Sequence, residues 1–256
     1  LASGTHAFEQ PLNERIRGFM RLEYLFARLA YHRADTSAWG RRAALEVILD
    51  VLSVLSRFDI SGEVSKALGK CYSQMASFRG TDHSMSQSID ETLAQIDDLG
   101  RRIQRVPSNF ASYLLRDDEL LYNLNNRSPI AGGSCGFDLP AYQFWLAQPA
   151  ERIEADIAHW CQYFGIFESA IDLLLGLLRD GATPSIETAE KGVCIYNTTP
   201  NALMLRVFVD TATVFPQISA GRHRATIRFM GHVDQSTRVK QSQATFHFQL
   251  ACCSYV

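Results

Sequence analysis

Most of the patterns that announce a chemical function are missing from this chain. None of its seven histidines falls in an HxxxH or HExxH arrangement, so no helical zinc pair is written into it. The six cysteines, at 71, 135, 161, 194, 252 and 253, include no CxxC pair. In a chain of 256 residues they read as reduced thiols of a cytosolic protein, not as a disulfide framework. Cys252 and Cys253 are neighbours on a strand-like run, point to opposite faces and make no chelate. The one glycine cluster, Gly132-Gly-Ser-Cys-Gly136, lacks the Lys-Ser/Thr of a phosphate loop and follows no clear strand. It reads as a tight turn, and Cys135 within it, with no local base or helix N-terminus to activate it, as a buried structural thiol. Asp117-Asp-Glu119 reads as a solvated helix start, not a metal cluster. With no nucleophile, base and orienting group to name together, a hydrolase has no support.

Long apolar runs are missing too. The densest stretch, Ala170 to Leu178, is interrupted by Asp172 and ends at Arg179-Asp180, too short to span a bilayer. The N-terminus has no basic-then-apolar signal pattern. There is no internal repeat, heptad run or low-complexity tract. The expectation is a cytoplasmic chain with no membrane insertion.

A net charge of −2 is also nearly an absence, but it conceals a division. From Lys191 onward seven Lys/Arg stand against two Asp/Glu, a net of +5, so residues 1 to 190 carry −7. Such a split points to a surface for something anionic more readily than to a catalytic pocket.

What is present is a change of period. Apolar content of 46% supports a real core. The first 180 residues are helical in rhythm. Pro11-Leu-Asn-Glu14 opens a helix with Asn13 as its cap, and Ile16, Phe19, Met20, Tyr24 and Leu25 fall on or near one face. Further helices are expected over Arg41–Leu55, Glu63–Phe78 and Ser84–Arg105, the last two separated by the Arg79–Asp82 turn. Another runs from a Ser108 cap to Leu115, and a short one ends at Leu124. Pro149 and Glu151 open the last long helix, which runs through a weak point at Gly165 to Leu178 and stops at Gly181. Near Thr183-Pro184 the period becomes two. Leu203–Val209, Arg224–Met230 and Thr245–Leu250 each alternate as half-buried antiparallel strands do, with turns at Thr198–Asn201, Ser219–Gly221 and Gly231–Thr237. The fold class is α+β: a helical domain over 13–182, then an antiparallel β domain over 183–256, joined by a short N-terminal strand near 5–9.

The cationic excess lies on one face of a strand, as Arg222, Arg224 and Arg228. Charges on a sheet can simply deter edge pairing. Here, though, Arg224 and Arg228 share a face about 13 Å apart, and the only acid within ten positions is Asp234. A stripe of that length matches an extended acidic peptide or a phosphate backbone.

Four motifs, in order along nearly the whole chain, resemble the ZapD family of cell-division proteins that bind FtsZ. They are Phe8-Glu-Gln-Pro-Leu-Asn-Glu14 with Met20–Leu25; Gly132–Pro140 with Trp145; Phe215-Pro-Gln-Ile-Ser219 with Ile227–Met230; and Gln249–Cys253. The resemblance implies a helical domain plus an antiparallel β domain, a homodimer, and no cofactor or enzyme activity. It also implies binding to the FtsZ C-terminal tail, and bundling of FtsZ protofilaments at the mid-cell division ring. The tail-binding basic residues correspond to Arg57, Arg224, Arg228 and Arg21, with Arg222 where a lysine is common. Glu119 replaces a basic residue and Gln143 a histidine. The competing class is a single-stranded nucleic-acid binder using the basic β surface. Against it stand the net acidity of the chain and the lack of an RNP-type aromatic motif, so no nucleic-acid partner is expected.

Overall fold

The computed structural model describes residues 5–57, 59–77, 86–210, 214–221, 223–231 and 239–255, with Thr5 and Ser86 described by backbone alone. Arg222, the Arg79–Asp82 turn and residues 232–237 of the Gly231–Thr237 turn lie outside them. The chain divides into two compact units, Leu1–Arg17 with Leu175–Val256, and Gly18–Leu174, each taken separately below. The charge division follows them. Gly18–Leu174 holds 15 Lys/Arg against 20 Asp/Glu, net −5, and the other unit 10 against 7, net +3. The architecture is α+β, helices first and antiparallel sheets after.

Nine helices occur among the described residues: α1 (Glu14–Arg33), α2 (Ala38–Arg57), α3 (Ile60–Ser77), α4 (Ser86–Ile103), α5 (Phe110–Asp117), α6 (Glu119–Arg127), α7 (Pro140–Leu146), α8 (Ala150–Trp160) and α9 (Phe164–Asp180). The start of α1 is fixed by Asn13, whose Oδ1 accepts the Ile16 amide at 2.9 Å. α6 is capped in the same way by Asp118, which accepts from Leu121. α5 begins after Asn109 with no side-chain cap, so Ser108 does not cap it; the Phe110 amide bonds the Pro107 carbonyl instead.

Two expectations are corrected. The last long helix is two helices, α8 and α9, bent by 55° at residues 161–163, ahead of Gly165. Aromatic side chains within Gly18–Leu174 flank the bend. Trp160 donates its indole N–H to Asp118 at 2.9 Å, while Tyr163 packs edge-on against Phe110 and Phe164 against Phe26. And α7 follows the glycine turn, where only a turn was expected. Tyr142, Trp145 and Leu146 bury its inner side, and the Trp145 indole donates to Asp156 at 2.9 Å. Among the described residues no single helix is long and apolar enough to cross a membrane.

The strands are β1 (Thr5–Pro11), β2 (Ser185–Ala189), β3 (Val193–Asn197), β4 (Met204–Asp210), β5 (Val214–Ala220), β6 (Arg224–Gly231), β7 (Lys240–Gln241) and β8 (Phe246–Cys253). One sheet has the order β1-β4-β8-β2, the other β3-β6-β5 with β7 beside the end of β6, and every pairing is antiparallel. Their inner faces meet over Leu205, Val207, Ile227, Phe229, Phe248 and Leu250. The β2–β3 turn depends on Gly192 at φ 72°, where a Cβ would strike the Ser242 carbonyl. β4 is not half-buried as its alternation implied: Met204 and Phe208, on its outer side, are buried as well.

On that outer side β1 is locked to β4. Glu9 receives two bonds from Arg179 of α9, at 2.9 and 2.7 Å, and an ion pair from Arg206 at 3.0 Å. Arg206 donates in turn to the Arg179 carbonyl. The Glu9 side chain is only 15% exposed. Replacing Glu9 by Gln removes the anion and leaves two half-buried guanidinium groups facing each other. We expect a loss of about 3 kcal/mol, read as a lower urea midpoint for the strand unit; an unchanged midpoint contradicts it.

Candidate functional site

The arginines singled out from the sequence fall into two arrangements, one in each unit. In the strand unit, β6 alternates strictly. Ala225, Ile227 and Phe229 are fully buried, and Arg224 and Arg228 are exposed on the opposite face. The registers identify their neighbours. On β3, Asn197 lies opposite Arg224, Ile195 opposite Thr226 and Val193 opposite Arg228. On β5, Ser219 lies opposite Thr226 and Gln217 opposite Arg228. No Asp or Glu occupies these positions, and neither arginine has an ionic partner among the described residues. Among the described residues, therefore, nothing neutralises their charge. The edge-pairing explanation is weakened, because β6 is the central strand of its sheet and the edge strand β5 carries Pro216. The stripe has two described members, since β6 begins at Arg224 and Arg222 lies outside the described residues.

In the helical unit, Arg21 of α1 and Arg57 at the end of α2 line one groove of about 360 Å³ with Tyr24, Leu25, Val54 and Asp50. Both arginines are exposed and make no ion pair among the described residues. Asp50 is engaged by Arg28 at 3.3 Å. Arg57 also walls two neighbouring hollows, of about 550 and 320 Å³, so it stands where three concavities meet. Glu119 is exposed at the start of α6. Gln143 accepts a bond from Arg42 at 3.0 Å, and Arg42 is held over the Tyr142 and Trp39 rings.

Tyr24 departs from its expected place. It is 67% exposed, an apolar wall of the groove and not a core residue. At 100° per residue it lies roughly opposite the buried stripe of Phe19, Leu22, Phe26 and Leu29, so strict helical bookkeeping would have found it. Ile195 is 54% exposed between the two strand arginines and carried no signal, because β3 itself was not read as a strand.

Among the described residues no three His, Cys, Asp or Glu side chains converge to hold a metal ion. All six cysteines are free thiols. Cys135 is half-buried and donates to Asp138 at 3.4 Å. Burial pushes the thiol of Cys71 up to about 11 and those of Cys161 and Cys253 up to about 12.

These features describe an α+β protein with exposed arginines that have no ionic partner among the described residues. The sequence model of the ZapD family, described as a cell division protein, matches residues 20–228. Cell division protein ZapD of Methylococcus capsulatus is 35% identical over 249 residues, covering 96% of this chain and 97% of that protein. The proteins of the same name from Nitrosomonas eutropha and Chromobacterium violaceum are 31% and 28% identical, covering 96% and 97% of this chain and 98% and 99% of theirs. The chain belongs to the ZapD family of cell division proteins.

The thiols give a direct check on the described burial. At pH 8 the thiolate fraction of Cys71 should be about 100-fold below that of an ordinary cysteine, and those of Cys161 and Cys253 lower still. Labelling by a disulfide reagent, mapped by mass spectrometry, should leave these three and the buried Cys194 last in the folded protein, and all six equally reactive in guanidinium. Early native labelling at Cys71 or Cys253 contradicts the packing.

Proposed function

We propose that this chain binds the C-terminal tail of FtsZ and, as a homodimer, crosslinks and bundles FtsZ protofilaments at the cytoplasmic division ring. It acts by binding, not catalysis, and needs no cofactor. The observation that carries this reading is the pair Arg224 and Arg228, exposed on one strand face with no ionic partner among the described residues. Arg21 and Arg57, equally unpartnered beside the exposed ring of Tyr24, offer a second set of forks with an apolar wall. A flexible tail carrying carboxylates and apolar side chains matches both chemistries.

Each charge-assisted bond contributes about 1.5–3 kcal/mol, offset in part by ordering the tail, so a single site has micromolar affinity, about −8 kcal/mol. Two such sites on a two-fold dimer gain about 10²–10⁴ in avidity on a polymer. Crosslinking then needs no tight site. The helical unit is the better candidate for the dimer contact. Among the described residues, nine of the twelve large exposed apolar side chains lie there, among them Trp39, Phe137 and Phe144. A single-stranded nucleic acid is the weaker partner. Stacking needs exposed rings, and Phe215, the aromatic residue on the Arg224 face, is half-buried.

Arg224→Glu or Arg228→Glu should weaken binding of a labelled FtsZ tail peptide at least tenfold by fluorescence anisotropy, with unchanged circular dichroism, because exposed charges contribute little to stability. Two reversals with wild-type affinity overturn the reading. Raising salt from 0.1 M to 1 M shortens the screening length from about 10 Å to about 3 Å. Light scattering from FtsZ bundles should fall accordingly, and scattering that holds or rises assigns the binding to apolar contacts. Sedimentation velocity should give roughly twice the 28.7 kDa chain mass at micromolar concentration. A monomer that still bundles filaments contradicts the dimer mechanism, unless each chain holds two tail sites.

A further inference from the structure

The exposed face of β6 is more specific than a patch of charge. Arg224 and Arg228 are four residues apart on one strand, about 13 Å at 3.3 Å per residue. The residue between them on that face is Thr226, and its register partner is Ile195 of β3. Cross-strand partners stand about 5 Å apart at Cβ. Ile195 is thus an apolar surface midway between two cations, and 54% of it is open to solvent. Charge, apolar contact, charge is the order along the strand.

An extended chain has the same metric. Its residues i, i+2 and i+4 point to one side, and i to i+4 spans about 13 Å. We propose that this face reads a register in an extended acidic peptide, acid–x–apolar–x–acid, with the two carboxylates on Arg224 and Arg228 and the apolar side chain on Ile195 and the Thr226 methyl. Charge complementarity fixes the sign of the occupant, since the face presents two unneutralised cations and no anion among the described residues. The isoleucine fixes its grammar. An apolar residue elsewhere in the peptide leaves Ile195 uncovered, and a spacing of i to i+3 turns the second carboxylate to the wrong side. The arginine stems extend the apolar floor on both sides of Ile195. The inference deepens the tail-binding reading and rests on it for the identity of the natural ligand, but not for the register.

The test uses the full chain and labelled ten-residue peptides in a Ser/Gly background. One carries Asp-x-Leu-x-Asp, a second has Ser for the Leu, and a third moves the second Asp to i+3. Wild-type protein should bind the first about fivefold more tightly than either of the others. Ile195→Ser, an exposed change checked by circular dichroism, should remove the advantage of the Leu peptide while leaving the Ser peptide unaffected. Equal losses for both peptides, no loss for either, or no binding of the first peptide at millimolar concentration overturns the register. So does an oligothymidine that displaces the first peptide from wild type and Ile195→Ser equally well. An FtsZ tail peptide run alongside separates the two claims. If the tail needs Arg224 and Arg228 but ignores Ile195 and the designed peptides show no spacing preference, the register fails and tail binding stands. If the designed peptides obey the register while the tail ignores both arginines, the register stands and this face is not the FtsZ site.

Discussion

The strand unit depends on where its first strand goes. β1 pairs with β4, which lies nearly 200 positions further along the chain, so the pairing must be fixed by something stronger than proximity in sequence. Glu9 supplies it. Placed opposite Arg206 in the β1–β4 register and bonded twice by Arg179, it joins β1, β4 and the C-terminal end of α9 through one carboxylate. Two cations on one anion, all half-buried or more, form an arrangement in which each partner's absence leaves uncompensated charge. A slip of β1 by one residue would turn Glu9 towards the apolar core and Phe8 away from it. The register is therefore specified from both faces at once.

With β1 and β4 fixed, the opposite sheet can place charge freely. Its central strand β6 buries Ala225, Ile227 and Phe229 completely, which is enough to hold Arg224 and Arg228 outward with no help from ion pairs. The contrast with Arg206 is instructive. Arginines of the same unit are consumed where they meet Glu9 and left open on the β6 face. The first arrangement is structural and the second offers a binding potential. The helical unit repeats the distinction, with Arg28 engaged by Asp50 while Arg21 and Arg57 line the neighbouring groove without a partner among the described residues.

How much of this was legible in the chain varied with local signal. Asn13 before an apolar period of 3.6 announced α1, and strict alternation announced β4, β6 and β8, which together give the α+β class. β5 stayed hidden because Pro216 argues against a strand, and it is tolerated only because β5 is an edge. β2 and β3 are five residues each, too short for a period to stand out. α7 has seven residues and no side-chain cap. The break between α8 and α9 was missed: the apolar period continues across it, Gly165 is only a weak point, and the bend lies ahead of it at residues 161–163. The face shared by Arg224 and Arg228 followed from a period of two. Ile195 between them could not be found without the β3–β6 register, and the meeting of Arg21, Tyr24 and Arg57 depends on how α1 packs beside α2.

The central claim is that cationic surfaces of this chain hold the tail of FtsZ and so gather its filaments. It is tested most directly by sedimenting polymerised FtsZ with this protein, once with intact FtsZ and once with FtsZ lacking its last dozen or so residues. The account predicts bundles in the pellet with intact FtsZ and none above background without the tail. Equal bundling of the tail-less polymer would contradict it.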